Sequence, residues 1–245
     1  MKKNYGICLN KTRQISFRML LSSLYTLFFP RHCLVCQRTL IPSERLICLG
    51  CMADLPRSGH WLREQHVLTL LLQELVPVQH VSAFLRYTTE SPYHAMLHQL
   101  KYQGNTEVGE VLGRWFGEAL AASPWYQDVE LIAPVPLHPK KLRKRGYNQS
   151  EVLARGMAAG AGWTLEPHLL VRTRHTATQT KLNKAERQQN VAGAFALQDP
   201  QKAQNKHILL VDDVFTTGAT TASSALALLQ APGAKVSVAT LAYVE

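Results

Sequence analysis

Nowhere in the 245 residues is there an apolar run of about 20 residues, which excludes a membrane-spanning helix. There is also no internal repeat and no low-complexity tract. With 46% apolar residues the chain can build an ordinary globular core, large enough for one α/β domain and a small appendage. Acidic residues are scarce, 17 against 27 lysines and arginines, for a net charge of +10. That surplus bears on partners rather than fold: it suits phosphates, pyrophosphate or nucleic acid, although a merely basic soluble protein would carry it too. No Ser/His/Asp or Cys/His nucleophile set is legible.

The basic stretch containing Lys2, Lys3, Lys11, Arg13 and Arg18 precedes an apolar run from Met19 to Phe29, loosely the shape of a signal peptide. Ser22, Ser23 and Thr26 interrupt the run, and it ends in Pro30-Arg31-His32 without a small-x-small cleavage site. A secretory signal is therefore not expected, and a cytoplasmic location is. Residues 1–18 read as a basic tail, with Met19 an alternative start, and residues 19–30 as a short amphipathic helix on Leu20, Leu21, Leu24, Leu27 and Phe28. Together they form a leading segment, 1–30. A cysteine module is expected at 31–57, a Leu-rich helix at 62–75 and a larger domain at 78–245.

Cysteine is confined to five positions. Four of them, Cys33, Cys36, Cys48 and Cys51, form two Cys-x-x-Cys pairs separated by 11 residues, the two-knuckle spacing of a zinc ribbon rather than a disulfide framework. Four thiolates would bind Zn²⁺ tetrahedrally and staple a segment too short to bury its own core; redox-active or reduced thiols are the alternatives. Cys8 lies outside the pattern.

From residue 78 onward, strand-like and helix-like segments alternate. Strands are expected at Val81–Tyr87, Leu131–Pro136, Leu169–Arg172, His207–Asp213 and Lys235–Val244, and helices at 91–102, 105–122, 148–161 and Thr220–Gln230. The pattern implies a mostly parallel sheet with covered faces, whose ligands bind beyond the carboxyl ends of the strands. Asp212 and Asp213 end such a strand. Gly218 after them permits a tight turn, Thr216, Thr217 and Thr220 supply hydroxyls, and the following helix aims free N–H groups at an anion. Two carboxylates would repel a phosphate, so they face vicinal ribose hydroxyls or a hydrated Mg²⁺.

The segment Ile208–Thr220 resembles the phosphoribosyl pyrophosphate signature of type I phosphoribosyltransferases. The resemblance implies that Asp212 and Asp213 hold the ribose hydroxyls and that Thr216, Thr217, Gly218, Ala219 and Thr220 hold the 5′-phosphate, with Mg²⁺ accompanying the ligand. Phe215 departs from the pattern, where a small aliphatic residue is usual, and would narrow the pocket. A dense basic loop carries Lys140, Lys141, Arg143, Lys144 and Arg145, suited to pyrophosphate or to a nucleic-acid backbone. Its continuation Arg145-Gly-Tyr-Asn-Gln149 resembles a motif of the ComF family (competence protein F, with its GntX branch), as do Arg174, Thr178, Gln179, Leu182, Arg187, Asn190 and Gly193-Ala194-Phe195.

That family resemblance spans residues 30–245. It implies the type I phosphoribosyltransferase fold behind an N-terminal zinc finger, a lid over 172–190 that excludes water, and a role in natural competence or use of imported DNA. By resemblance, Asp212 and Asp213 orient the ribose, Arg143 and Arg145 take the leaving pyrophosphate, and Lys181 or Arg187 arrives with the lid. The acceptor would sit in a hood over 88–125, with Tyr93, His94, His98, Lys101 and Tyr102. An adaptor that keeps the fold while engaging single-stranded DNA or competence proteins is the reading of a different class.

Overall fold

The computed structural model describes residues 29–88, 90–173 and 193–244. Residues 19–28 of the expected N-terminal helix, Cys8, and the expected lid residues from Arg174 to Asn190, Lys181 and Arg187 among them, lie outside these. Contacts divide the chain between Asp54 and Leu55 into two compact units.

In the first unit, Cys33 and Cys36 form one knuckle, and Cys48 caps a short helix, α1 (Leu49–Ala53), by accepting from the Cys51 N–H. The turn between the knuckles is organised by Glu44, which is 4% exposed. Its carboxylate accepts from the N–H groups of Ile41 (3.0 Å) and Leu49 (2.8 Å) and from the Arg38 guanidinium (2.7 Å). Those bonds hold the Glu44 carboxyl below its ordinary range, the Leu49 N–H first.

The second unit carries the mostly parallel, helix-flanked sheet expected of a type I phosphoribosyltransferase fold. Strands β1 (Val81–Tyr87), β2 (Leu131–Pro134), β3 (Thr164–Leu165), β6 (His207–Phe215) and β7 (Lys235–Val244) run in the order β1-β7-β6-β2-β3, every neighbouring pair parallel. A separate antiparallel pair joins β4 (Leu170–Arg172) to β5 (Phe195–Leu197). The central strands are apolar on both faces because helices cover both: Ile208, Leu209, Leu210 and Val211 of β6 are wholly buried.

The helices are α2 (Val67–Gln73), α3 (His94–Tyr102), α4 (Thr106–Ala121), α5 (Pro139–Arg145), α6 (Gln149–Ala161), α7 (Pro200–Ala203) and α8 (Ala219–Leu228). The helix expected over 62–75 splits into a single 3-10 turn, His60–Leu62, and α2. Arg63 and His66 take extended backbone, and the His66 ring binds Val81 O at 2.6 Å, so a sheet contact ends the helical run. The basic segment after β2 is helix α5 rather than a loop. Its side chains lack an apolar period, but its ends carry helix signals: Pro139 in the first turn, a His138 cap on Lys140 N, and Gly146 closing it at φ 85°.

Helices α4 and α6 pack closely against one another. Gly113 and Gly117 on α4 press against the α6 backbone at Leu153, Gly156 and Met157. Gly156 and Gly160 on α6 press against the α4 backbone at Glu110 and Arg114, and Gly109 makes room for the Val152 side chain. A Cβ on Gly113 would overlap the Leu153 carbonyl oxygen. The α6 N-terminus carries part of the site described below, so this seam sets its position. Replacing Gly113 with Ala should lower the melting temperature in scanning calorimetry, overpacking of this kind costing about 1–3 kcal/mol. An unchanged transition would show that the two helices separate freely.

Candidate functional site

Strand β6 outruns its neighbour. Pro134, the last residue of β2, pairs with Val211, and Val135 N adds a bond to Val211 O before the chain turns away. Asp212 and Asp213 therefore project past the edge of β2 into a cavity of about 670 Å³. The two acids differ. Asp212 accepts from Ser150 Oγ (3.0 Å) and from the Asp213 N–H (2.8 Å), whereas Asp213 pairs with Lys101 Nζ at 3.1 Å. Burial first, then the charge of Asp213, pushes Asp212 up to about 7 against those bonds.

The chain then turns through Thr216 and Thr217 into Gly218, which sits at φ 74° at the N-terminus of α8. Residues 216–221 line the same cavity as the acids. The turn leaves N–H groups of the first turn of α8 directed at it, a ready anion cradle. Phe215 does not narrow the cavity. Strand alternation turns it into the core, 3% exposed, beneath Gly218 and beside Leu72.

Opposite the acids stands the Arg145–Ser150 segment, and each residue has a separate place. Arg145 lies over the Tyr102 ring, 5.6 Å from its centroid. Gly146 ends α5. Tyr147 donates its hydroxyl to Leu100 O, tying the segment to α3. Asn148 caps α6 through Ser150 N (3.2 Å) and donates to Val135 O (3.0 Å), locking the helix to the end of β2. Ser150 holds Asp212. Gln149, 1% exposed, lines the cavity, its side chain meeting the Tyr147 hydroxyl.

Of the basic residues, Lys141, Lys144, Arg145 and Arg172 line the cavity, while Arg143 is exposed and does not. On a helix, residues 141, 144 and 145 share a face and 143 points elsewhere. Burial, then Arg172 and Arg145, pull Lys141 below its ordinary value, with Asp213 opposing. Burial likewise lowers Arg172, opposed by the charge of Asp212. Of the expected hood residues, Lys101 and Tyr102 line the cavity; Tyr93, His94 and His98 do not. Ser150, Arg172 and the separate use of Lys101 by Asp213 had no sequence signal, since each contact joins residues distant in the chain.

The four module thiols form one cluster. The Sγ atoms of Cys33, Cys36, Cys48 and Cys51 all lie within 4.8 Å of one another, and Cys36 and Cys48 are 3.7 Å apart. Four thiolates around a tetrahedral ion at about 2.3 Å would be about 3.8 Å apart, so donors and spacing fit such a metal. The Cys51 N–H, first, brings the Cys48 thiol down to about 6, while burial and the neighbouring sulfurs push Cys51 up.

A Ser–His–Asp arrangement does exist, invisible in the sequence: Ser237 Oγ lies 2.9 Å from His207 Nε2, and His207 Nδ1 lies 2.7 Å from Asp128 Oδ1. Ser237 is wholly buried, so no substrate reaches it. The three residues instead join the starts of β6 and β7 to the turn before β2.

No family model matches the chain. Among curated proteins it is 36% identical to the DNA utilization protein YhgH of Salmonella typhimurium, over 68% of this chain and 73% of that one. It is 32% identical to the YhgH of Escherichia coli K12, over 84% and 87%, and 29% identical to competence protein F of Haemophilus influenzae, over 79% and 88%. Among solved structures, a glutamine phosphoribosylpyrophosphate amidotransferase from B. subtilis aligns with TM-score 0.40 and 19% identity, over 59% of this chain and 30% of that one.

Gly218 is the residue of the cradle least able to change. Its φ of 74° disfavours a side chain, and a Cβ there would come within 3.0 Å of Phe215 and 3.2 Å of Leu72. Gly218→Ala should destabilise the fold by at least about 1–2 kcal/mol in urea unfolding; a midpoint equal to that of the unmodified protein would refute the strain.

Proposed function

Because the chain belongs to the ComF family, we propose that its cavity binds phosphoribosyl pyrophosphate as the Mg²⁺ complex, in a protein that serves competence or the use of imported DNA. The observation that carries this reading is the meeting of opposite demands in one cavity: two carboxylates where β6 runs past β2, beside a helix N-terminus, with Lys141, Lys144, Arg145 and Arg172 lining the same cavity. A ligand with vicinal hydroxyls, a phosphate and a pyrophosphate satisfies all three.

In this reading Asp212 and Asp213 accept from the ribose hydroxyls, and Asp213 gives up Lys101 to do so. The Thr216–Thr220 turn holds the 5′-phosphate. Lys141, Arg145 and Arg172 face the pyrophosphate, while Arg143 stands outside the cavity and has no part. Mg²⁺ supplies charge neutralisation on the pyrophosphate. Transfer would break the C1′–O bond, the electron pair leaving with pyrophosphate, while the acceptor's lone pair bonds to C1′ and the acceptor loses a proton. The chain provides position and electrostatics and needs no nucleophile.

The experiment is calorimetric titration of the full chain with phosphoribosyl pyrophosphate and Mg²⁺. Binding in the micromolar range is expected, weakened at least about 100-fold in the Asp212→Asn/Asp213→Asn protein, as charge-assisted bonds to both hydroxyls are lost. Absence of binding by the unmodified protein would overturn the reading in favour of an adaptor that keeps the fold and engages DNA or competence proteins through its basic surface.

We assign zinc to the Cys33, Cys36, Cys48 and Cys51 cluster, in a closed structural role, since four protein thiolates leave no position for water. Elemental analysis should find a single zinc per chain. Cys48→Ser should lose it and expose residues 31–53 to proteolysis while the circular dichroism of the sheet persists. Full zinc retention in Cys48→Ser would refute the assignment.

A further inference from the structure

The Arg38 side chain reaches the thiol cluster from outside it. Its Nη2 donates to Glu44 Oε1 at 2.7 Å, and the same guanidinium donates to Cys48 Sγ. Its main chain serves the other knuckle, because Arg38 O accepts from the Cys33 N–H at 2.8 Å. One residue therefore touches both halves of the cluster. The anchor on its far side is fixed. The buried Glu44 carboxylate is held by the Ile41 and Leu49 N–H groups, and Leu49 opens α1, the helix that Cys48 caps. Glu44 thus sets where the guanidinium stands relative to Cys48.

Packing does not account for this side chain. It is 54% exposed, so removing it would leave no cavity. Its charge does account for it. Four thiolates around a divalent ion would carry a net charge of about −2, and the sulfurs differ in how that charge is met. Cys33 Sγ takes uncharged donors, the N–H groups of Val35, Cys36 and Cys48. Cys48 Sγ takes the Cys51 N–H and, in addition, a positively charged donor. Charge-assisted bonds are roughly twice as strong as neutral ones. A planar guanidinium can meet a carboxylate and a sulfur at once, which an ammonium on a flexible stem does less well.

We propose that Arg38 is a positioning residue of the metal centre: fixed by Glu44, it donates to Cys48 Sγ, keeps that thiolate turned toward the ion and shields it from electrophiles. The inference rests on the assignment of zinc to the cluster and adds what governs how tightly the ion is held. Hydrogen-bond partners of metal ligands are worth about 10–100-fold in affinity. Cys36 is exposed, whereas Cys48 is buried and guarded by the guanidinium, so the two thiols offer an incoming reagent different access.

The test uses the full chain loaded with zinc. Metal content is measured first, and an unmodified protein that takes up no zinc would remove the assignment and this inference together. Affinity is then read by competition with a chromogenic chelator. Thiol reactivity is read under saturating zinc by iodoacetamide labelling, with mass mapping of each cysteine. Arg38→Met should weaken zinc binding at least about tenfold. It should also speed the labelling of Cys48 while Cys33, still bonded to the main chain of residue 38, keeps its rate. Arg38→Lys, which retains the charge without the fork, should recover the affinity only in part. Unchanged affinity in Arg38→Met overturns the proposal and leaves the zinc assignment standing. Equal acceleration at all four cysteines overturns it as well, since that marks a general loosening of the module. Full recovery in Arg38→Lys would show that charge alone suffices and would likewise overturn the positioning role.

Discussion

Strand β6 cannot slide. Its residues from Ile208 to Val211 are wholly buried on both faces and bonded to β2 on one side and β7 on the other, so shifting its register by one position would turn a whole apolar set toward the wrong layer. Everything in the site depends on that constraint. It fixes where the strand stops being flanked by β2 and hence where Asp212 and Asp213 emerge. It also fixes the start of the turn that carries Gly218 and the first N–H groups of α8. A carboxylate pair at the end of a less constrained strand would not hold one acid partly desolvated and the other ion-paired.

That asymmetry is set by the neighbours. Ser150 reaches Asp212 because α6 begins one residue earlier under the Asn148 cap, and α6 sits where it does because glycines on both helices let it press against α4. Lys101 reaches Asp213 from the last turn of α3, which Tyr147 ties down through Leu100 O. The Arg145–Ser150 segment is therefore a set of separate joints, to α3, to β2, to α6 and to Asp212. Gln149, buried at the cavity, sits beside the Tyr147 hydroxyl within the same segment.

The cysteine module follows different physics. It has too few residues to bury a core, so its order comes from the sulfur cluster and from Glu44, whose carboxylate takes two backbone donors and Arg38. The sheet domain is held by apolar burial and backbone bonding, whereas the module is organised around its cluster of four thiols and the Glu44 turn.

The chain's local pattern was enough to determine the alternation of strands and helices, with β1 and β7 bounded at Val81–Tyr87 and Lys235–Val244 as read, together with the acid pair, the threonine turn and the four-thiol spacing. All of these are contiguous or nearly so, and their period or spacing is itself the physical signal. Helix α5 was missed because only its ends carry helix chemistry. The inward turn of Phe215, the exposure of Arg143 beside the cavity-facing Lys141 and Arg145, and the split between Asp212 and Asp213 were decided by tertiary structure alone. So was the buried Ser237–His207–Asp128 contact. In each case the outcome depends on which face of an element meets a residue dozens of positions away, and only packing of the whole sheet sets that face.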